Sequence, residues 1–273
     1  MSINTGGVFI SKLNICVLAS GSSGNAIYVA TEKKKLLIDA GLSGKEVNKR
    51  LNQVNVEVDE IDAIFLTHEH SDHIQGAGVI SRRCDVPIYA SQGTWQGAND
   101  KLGKLTSANK NIITKEDVIL GDMKITPFSI SHDAKQPFGY SICYQDSKLA
   151  VATDTGEITS EVKDAVKGAE LVVLESNHDL EMLKIGPYPW ALKKRVMSAK
   201  GHLSNDDAGA AVVDLVKNST TKILLAHLSQ DNNIPELAYL TIKNMLADVG
   251  MEIDKDLQLD FACQNQVSKL YQI

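Results

Sequence analysis

The 273-residue sequence lacks paired cysteines and long apolar runs, and each absence excludes a class of protein. Its four cysteines are far apart and form no C-x-x-C motif, which is typical of isolated thiols in a reducing compartment. No apolar stretch approaches the roughly twenty residues that cross a bilayer. Lys12 and Asn14 interrupt the apolar residues Val8 to Ile10 before the core of a signal peptide can form. We therefore expect a cytoplasmic protein that does not span a membrane.

The sequence also lacks a net positive charge, a Pro- or Ser-rich linker and any internal repeat. A net charge of −6 argues against a protein that coats nucleic acid by bulk charge, although a local basic groove stays compatible with it. Strand-like and helix-like segments alternate along a chain that is 43% hydrophobic. This pattern predicts one α/β domain over residues 1–273, and it leaves open whether the chain forms a homo-oligomer.

A dense cluster of metal-binding side chains dominates what is present. Residues 67–73 read Thr-His-Glu-His-Ser-Asp-His and follow the apolar run from Ile61 to Leu66, which predicts a short buried strand. Imidazoles and carboxylates packed this densely repel one another unless a cation neutralises them. His68 and His70 are two residues apart and can point the same way, whereas Asp72 and His73 can reach a second point. The cluster therefore predicts two adjacent metal ions.

Three further candidate ligands each follow a predicted strand. His132 follows the strand from Ile125, Asp154 follows the strand from Leu149, and His227 follows the strand from Ile223. Because strand ends are rigid, ligands from several strands can converge on one rim of a sheet. A lone histidine after a strand is weak evidence, but these three together with the cluster indicate one metal centre.

These residues resemble the metallo-β-lactamase-fold superfamily, whose H-x-H-x-D-H motif stands here as residues 68–73. The resemblance covers nearly the whole chain and implies an αββα four-layer sandwich: two mixed β-sheets packed face to face, with helices outside. It implies that one metal is bound by His68, His70 and His132. It implies that the other is bound by Asp72, His73 and His227, with Asp154 bridging the two. Nitrogen and oxygen donors without cysteine suit zinc or manganese, with iron as a third choice.

Two residues favour a phosphodiesterase branch of this superfamily. Glu175 follows the predicted strand Leu171 to Leu174, and His202 precedes a predicted helix, as do the Glu and His of enzymes such as tRNase Z. In those enzymes the His protonates or orients the leaving group. The phrases at residues 20–26, 130–134 and 175–179 resemble the WalJ/YycJ family in particular. That family is regarded as exonucleases that act on DNA and is associated with DNA repair.

Other side chains are predicted to support the centre or to contact a substrate. Asp39 follows the predicted strand Leu36 to Ile38 and is expected to hydrogen-bond a ligand histidine, with Asp133 as a second candidate. A basic segment leads into His202, and nearby aromatic rings can stack on bases. The predicted substrate contacts are His178, Lys193, Lys194 and Arg195, with Tyr140, Tyr188 and Trp190 as stacking rings.

The predicted mechanism is two-metal hydrolysis of a phosphodiester, with a metal-bridging hydroxide as the nucleophile and DNA favoured over RNA as the substrate. His202, Glu175 and Asp72 are the predicted catalytic residues. Two alternatives remain open at this stage. One is a small-molecule hydrolase of the same fold, acting on a thioester or a lactone. The other is a non-catalytic nucleotide-binding regulator.

Overall fold

The computed structural model describes residues 12–98 and 100–273, and within these residues the chain forms two seven-stranded β-sheets. The apolar residues Val8 to Ile10 lie outside this range. The strands of the first sheet, in spatial order, are β14 (Tyr271–Gln272), β1 (Asn14–Ala19), β2 (Ala26–Ala30), β3 (Lys35–Ile38), β4 (Ala63–Phe65), β5 (Ile88–Ser91) and β6 (Lys110–Ile113).

The second sheet also has seven strands. Its strands, in spatial order, are β13 (Gln258–Phe261), β12 (Lys222–Ala226), β11 (Leu171–Glu175), β10 (Ser147–Ala152), β9 (Phe138–Tyr144), β8 (Met123–Ser129) and β7 (Val118–Leu120). In both sheets an antiparallel half is continued by a parallel half, so each sheet is mixed.

Strand direction brings the predicted ligands to one rim. β8 and β10 are both antiparallel to β9, and β10, β11 and β12 are parallel to one another. The carboxyl ends of these four strands therefore lie at the same edge of the second sheet. In the first sheet β3 is parallel to β4, and both β1 and β3 are antiparallel to β2. The turns after β1, β3 and β4 share an edge for the same reason.

The apolar side chains form three layers of core. One layer lies between the sheets, where Ile38 and Phe65 of the first sheet share a cluster with Val151 of the second. The outer face of the first sheet packs on α1, α3 and α4, and that of the second packs on α5, α8 and α9. The described helices are α1 (Gly44–Asn52), α2 (Ser71–Ile74), α3 (Ala77–Cys84), α4 (Gln92–Ala98), α5 (Ser160–Val166), α6 (Leu180–Ile185), α7 (Trp190–Val196), α8 (Asn205–Lys217) and α9 (Pro235–Asp248). The predicted αββα sandwich is confirmed.

None of these helices combines the length and the apolar character needed to cross a bilayer.

The loop that carries the histidine cluster is fixed by close backbone contact. Asn25 N donates to Asp72 O, and Gly41 N donates to Asn25 O, both at 2.8 Å. A Cβ added to Gly41 would lie 1.5 Å from Asp72 O. Glycine is therefore required at position 41 to let three loops meet at the rim of the sheets.

We predict that Gly41→Ala destabilises the fold by about 3 kcal/mol, the upper end of the cost of overpacking, because backbone must move to admit the methyl group. Chemical denaturation followed by circular dichroism measures this loss. Gly44→Ala is the matched control, since its Cβ would meet side chains and no backbone: the half-exposed Val79 at 3.3 Å and Ile80 at 3.6 Å. The control should stay within about 0.5 kcal/mol of the native protein. Equal stability of the two variants would contradict the prediction.

Candidate metal centre

The first ligand group brings three imidazole nitrogens together. His68 Nε2 lies 3.0 Å from His70 Nδ1, which lies 3.3 Å from His132 Nε2. Two nitrogens bound tetrahedrally to zinc are separated by roughly 3.3 Å, given Zn–N bonds of about 2.0–2.1 Å. His68 and His132 are buried, and burial lowers the pKa of both. Three imidazole nitrogens at this spacing are suited to share one cation.

The second ligand group surrounds Asp154. One oxygen of Asp154 lies 3.4 Å from His73 Nε2 and the other lies 3.1 Å from His227 Nδ1. Asp72 Oδ2 lies 3.5 Å from His73 Nε2 on the exposed side. His73 also packs on the ring of His68, with ring centroids 4.0 Å apart. Asp154 therefore lies between the two sheets, in contact with a histidine from each.

The buried carboxylates of this second group are stabilised by positive charge. Burial alone would raise the pKa of Asp154, but His227 and His73 hold it well below its ordinary value. Burial alone would lower the pKa of His227, but the carboxylates of Asp154 and Glu175 raise it to about 9. Asp154 and Glu175 therefore favour the protonated, positively charged form of His227. The same negative charge would attract a metal cation.

Two buried atoms of this second ligand group lack a hydrogen bond. Asp154 Oδ2 and His227 Nε2 are both shielded from solvent and have no hydrogen-bond partner. A buried polar atom without a partner is costly unless an ion or a water satisfies it. Oxygen and nitrogen atoms of this kind suit a divalent transition metal. The residues present fit the metals that the sequence predicts.

Three residues of the site adopt the left-handed backbone region. Asp39 follows β3 with φ of 60°, while Asp154 and His227 lie just beyond β10 and β12, each with φ of 55°. Residues other than glycine reach this region at an energetic cost, although Asp and His tolerate it better than most. Such strain persists only where the surrounding structure enforces it, and it is concentrated at functional sites. Here it turns each side chain from the strand towards the centre.

Asp39 contacts His73 directly and His68 through Thr67. Its Oδ2 lies 2.7 Å from His73 Nδ1 and accepts a hydrogen bond from Thr67 Oγ1 at 2.8 Å, and Thr67 N donates to Oδ1. Thr67 Oγ1 lies 3.0 Å from His68 Nδ1. These contacts use the Nδ1 atoms of both rings, so the Nε2 atoms face the centre. The sequence predicts that Asp39 hydrogen-bonds a ligand histidine, and in the structure that histidine is His73.

Sequence reasoning missed the role of the turn at residues 20–25. Asn25 Nδ2 lies 3.0 Å from His73 Nε2 and 3.3 Å from Asp72 Oδ2. Ser20 Oγ accepts a hydrogen bond from His227 N at 2.7 Å. This turn therefore contacts ligands from both sheets. Its Gly-Ser-Ser-Gly spacing was visible in the sequence, but small residues there indicated only a turn.

Glu175 links the two histidines of the second sheet. Its Oε1 lies 2.8 Å from His202 Nδ1 and 2.9 Å from His227 Nδ1, and its Oε2 accepts a hydrogen bond from Thr155 N at 2.7 Å. Burial would raise the pKa of Glu175, but His202 and His227 lower it to about 2. The carboxylate is fully buried, so it orients the two rings and has no access to a substrate. The prediction that Glu175 is catalytic is therefore revised to a positioning role.

A cavity of about 170 Å³ opens beside His202. It is lined by His202 and His227 together with Tyr188, Leu192 and Arg195. Arg195 Nε donates to Asp133 Oδ2 at 2.5 Å, and Asp133 Oδ1 lies 3.3 Å from His132 Nε2. Asp133 therefore holds the guanidinium of Arg195 at the mouth of the cavity, next to the first ligand group.

Three predicted contact residues lie elsewhere. His178 is 1% exposed, and burial lowers its pKa to about 4, so it is a neutral buried ring and not a wall of the cavity. Lys193 is buried, and its Nζ donates to Lys184 O at 2.7 Å. Tyr140 is fully buried between the sheets, where its hydroxyl donates to Leu66 O. The predictions that these three side chains contact a substrate are wrong. Lys194 and Arg195 are exposed.

Comparison with known proteins agrees with the resemblance seen in the sequence. A family model described as a beta-lactamase superfamily domain matches residues 34–227. The chain is 43% identical over 248 residues to the exodeoxyribonuclease YycJ of Bacillus anthracis, covering 90% of this chain and 94% of that protein. It is 44% identical over 243 residues to the exodeoxyribonuclease WalJ of Streptococcus pneumoniae, covering 87% and 90%.

The fold is also shared with a solved structure. The metallo-beta-lactamase fold protein YhfI of Bacillus subtilis superposes with a TM-score of 0.75 at 16% sequence identity, covering 96% of this chain and 100% of that one. With this fold, the matched superfamily domain and two relatives above 40% identity, the chain belongs to the WalJ/YycJ family of the beta-lactamase superfamily.

Proposed function

We propose that this protein is a metal-dependent phosphodiesterase that acts as an exonuclease on DNA. The observation that carries the proposal is the Glu175–His202 pair, which lies beside the ligand cluster and presents a histidine to the cavity. A histidine held by a buried carboxylate is suited to protonate a leaving oxygen. The printed names of the two relatives, both exodeoxyribonucleases, support the same activity.

The proposed ligands follow the two groups of the metal centre. His68, His70 and His132 would hold one divalent ion, and Asp72, His73 and His227 the other, with Asp154 shared between them. When bound, zinc or manganese supplies an activated water and neutralises the charge that builds on a phosphate. The protein would keep the site rigid, because Asp39 and Glu175 each fix a ligand ring through its Nδ1 atom.

The remaining steps belong to Asp72 and to two side chains that line the cavity, His202 and Arg195. Asp72, which is partly exposed, is suited to accept the proton that the attacking water loses. His202 Nδ1 is bound to Glu175, which leaves Nε2 as the nitrogen that can donate a proton to the departing oxygen. Arg195, held by Asp133, would contact the phosphate backbone next to the bond that is cut.

The size of the cavity favours a polymer over a small molecule. Sites that enclose a small ligand usually measure about 300–1,000 Å³, whereas this cavity measures about 170 Å³. It can receive a phosphate and part of a nucleotide while the rest of the strand stays outside. Incubation of metal-loaded protein with labelled DNA, labelled RNA, a thioester and a lactone tests this choice. Turnover of DNA is expected, and turnover of only the thioester and the lactone would reject the proposal.

A cytoplasmic location remains a prediction.

We predict that Asp154→Asn abolishes metal-dependent turnover and lowers the bound metal from two ions per chain, because it removes the charge shared by both ligand groups. The loss of turnover should exceed the 10–100-fold that is usual when a residue behind the ligands is changed. Elemental analysis and a phosphodiesterase assay measure the two effects. Circular dichroism should show a folded protein, and near-normal turnover and metal content would reject the assignment of Asp154.

We predict that His202→Ala cuts the rate on DNA by roughly 10²–10⁴, the usual range for general acid catalysis. Metal content should stay the same, since His202 is not among the proposed ligands. A nitrophenyl phosphodiester, whose leaving group needs no proton, should lose far less rate than DNA.

The pair of substrates separates two roles of His202. Equal losses on DNA and on the nitrophenyl ester would leave phosphate positioning and rule out proton donation. Unchanged turnover on DNA would make the small-molecule hydrolase the better proposal.

We predict that Arg195→Ala weakens DNA binding and reduces the slope of log K against log salt by about 0.7–0.9, the value for one lost phosphate contact. Fluorescence anisotropy of labelled DNA across a salt series measures the slope. Lys243→Ala on the outer helix α9 is the matched control, because it removes one exposed positive charge elsewhere. The same change in both variants would indicate bulk charge and not a contact made by Arg195.

A further inference from the structure

The link between α6 and α7 carries two large apolar side chains that face solvent. Ile185 is 83% exposed and Trp190 is 58% exposed. Only four residues, Gly-Pro-Tyr-Pro, separate them. Exposed apolar side chains are common when isolated, but a pair of them next to residues that line a cavity is a candidate binding surface. We call residues 180–196 the α6–α7 hairpin.

The α6–α7 hairpin is held in place at both ends of α6. Asp179 caps this helix by accepting a hydrogen bond from Met182 N at 2.8 Å, and Gly186 N donates to Met182 O at 2.7 Å. Lys193 Nζ reaches back from α7 to Lys184 O. These bonds fix the link between the helices, so Ile185 and Trp190 are exposed on an ordered support.

The hairpin is continuous with the cavity and is locally basic. Tyr188, Leu192 and Arg195 line the cavity from this side, so Trp190 lies two residues from its wall. Residues 179–200 carry five basic and two acidic side chains in a chain of net charge −6. Lys194 Nζ lies 5.8 Å from the centre of the Trp190 ring, within cation–π range. An exposed ring beside a positive charge matches the chemistry of a nucleic acid strand.

We propose that the α6–α7 hairpin binds unpaired bases of a DNA single strand, with Trp190 stacking on a base just outside the cavity. The proposal rests on the nuclease function. Stacking needs a base whose face is free, so single strands and frayed ends bind this surface and a paired duplex does not. The basic side chains contact the backbone while Trp190 and Ile185 contact the bases. The hairpin thus selects the strand that enters the cavity.

Tryptophan fluorescence tests the contact directly. The chain has two tryptophans, and Trp95→Phe leaves Trp190 as the single emitter. Trp95 is partly buried and its indole N–H donates to Asn111 O, so this background removes no exposed ring. Metal-loaded protein is titrated with a nuclease-resistant phosphorothioate oligothymidylate and, separately, with a blunt duplex. The single strand should quench the emission of Trp190 at saturation, and the duplex should leave it unchanged.

Fluorescence anisotropy measures how much the Trp190 side chain contributes to the affinity for single-stranded DNA. Trp190→Ala should weaken single-strand binding by roughly 5- to 150-fold, the range for loss of one stacked base. Trp190→Phe should keep most of the affinity because a ring remains. Ile119→Ser, which changes an isoleucine that is 67% exposed on β7, is the matched control and should bind as the native protein does.

The possible outcomes separate this inference from the nuclease function. Cleavage of DNA with no quenching and with normal affinity in Trp190→Ala would overturn the stacking surface and leave the nuclease proposal intact. Equal quenching by the duplex would overturn the selection of unpaired bases. Protein that neither binds nor cleaves any DNA would overturn both proposals.

Discussion

The burial of three carboxylates is the constraint on which the rest of this site depends. Asp39, Asp154 and Glu175 are almost fully removed from water, and a buried charge is tolerated only where it is paired. Asp39 is paired with His73, Glu175 with His202 and His227, and Asp154 with a histidine from each sheet. Each pair determines which ring nitrogen of a histidine contacts a carboxylate and which nitrogen is left to face the candidate metal centre. The ligands, the proposed proton donor and the cavity all take their orientation from these three acids.

The sandwich supplies the carboxylates at the required place. Parallel strand direction brings the ends of β3, β10 and β12 to one rim, and a left-handed residue follows each of them. That conformation costs energy locally, and the apolar layer between the sheets provides the stability that maintains it. A turn of small residues after β1 then closes the rim by contacting His73 on one side and His227 on the other. The geometry of the site is thus a consequence of strand topology more than of any one loop.

Much of this was predictable from the sequence, for physical reasons. Apolar runs that end in His or Asp indicate both a buried strand and a polar residue at its end, which predicted the strands of an α/β domain and the candidate ligands after them. The sandwich itself was implied by the resemblance to the superfamily. The short edge strands β6, β7 and β14 were missed because exposed edges carry no clear apolar pattern. Lys193 and His178 look like surface residues in a sequence, but both are buried: Lys193 Nζ donates to Lys184 O of α6, and His178 pairs with Ser204. Asn25 was missed because its role depends on contact with a loop about fifty residues later.

The candidate ligands come from both sheets, so a bound metal centre would couple the two sheets. His68, His70 and His73 follow the first sheet, whereas His132, Asp154 and His227 follow the second. The first candidate group takes His132 from the second sheet, and the second candidate group takes His73 from the first sheet. A preformed site of this kind does not exist in the unfolded chain, so the free energy of metal binding adds to the free energy of folding. Metal binding would therefore fix the spacing of the sheets, and with it the distance between Asp154 and the histidine that faces the cavity.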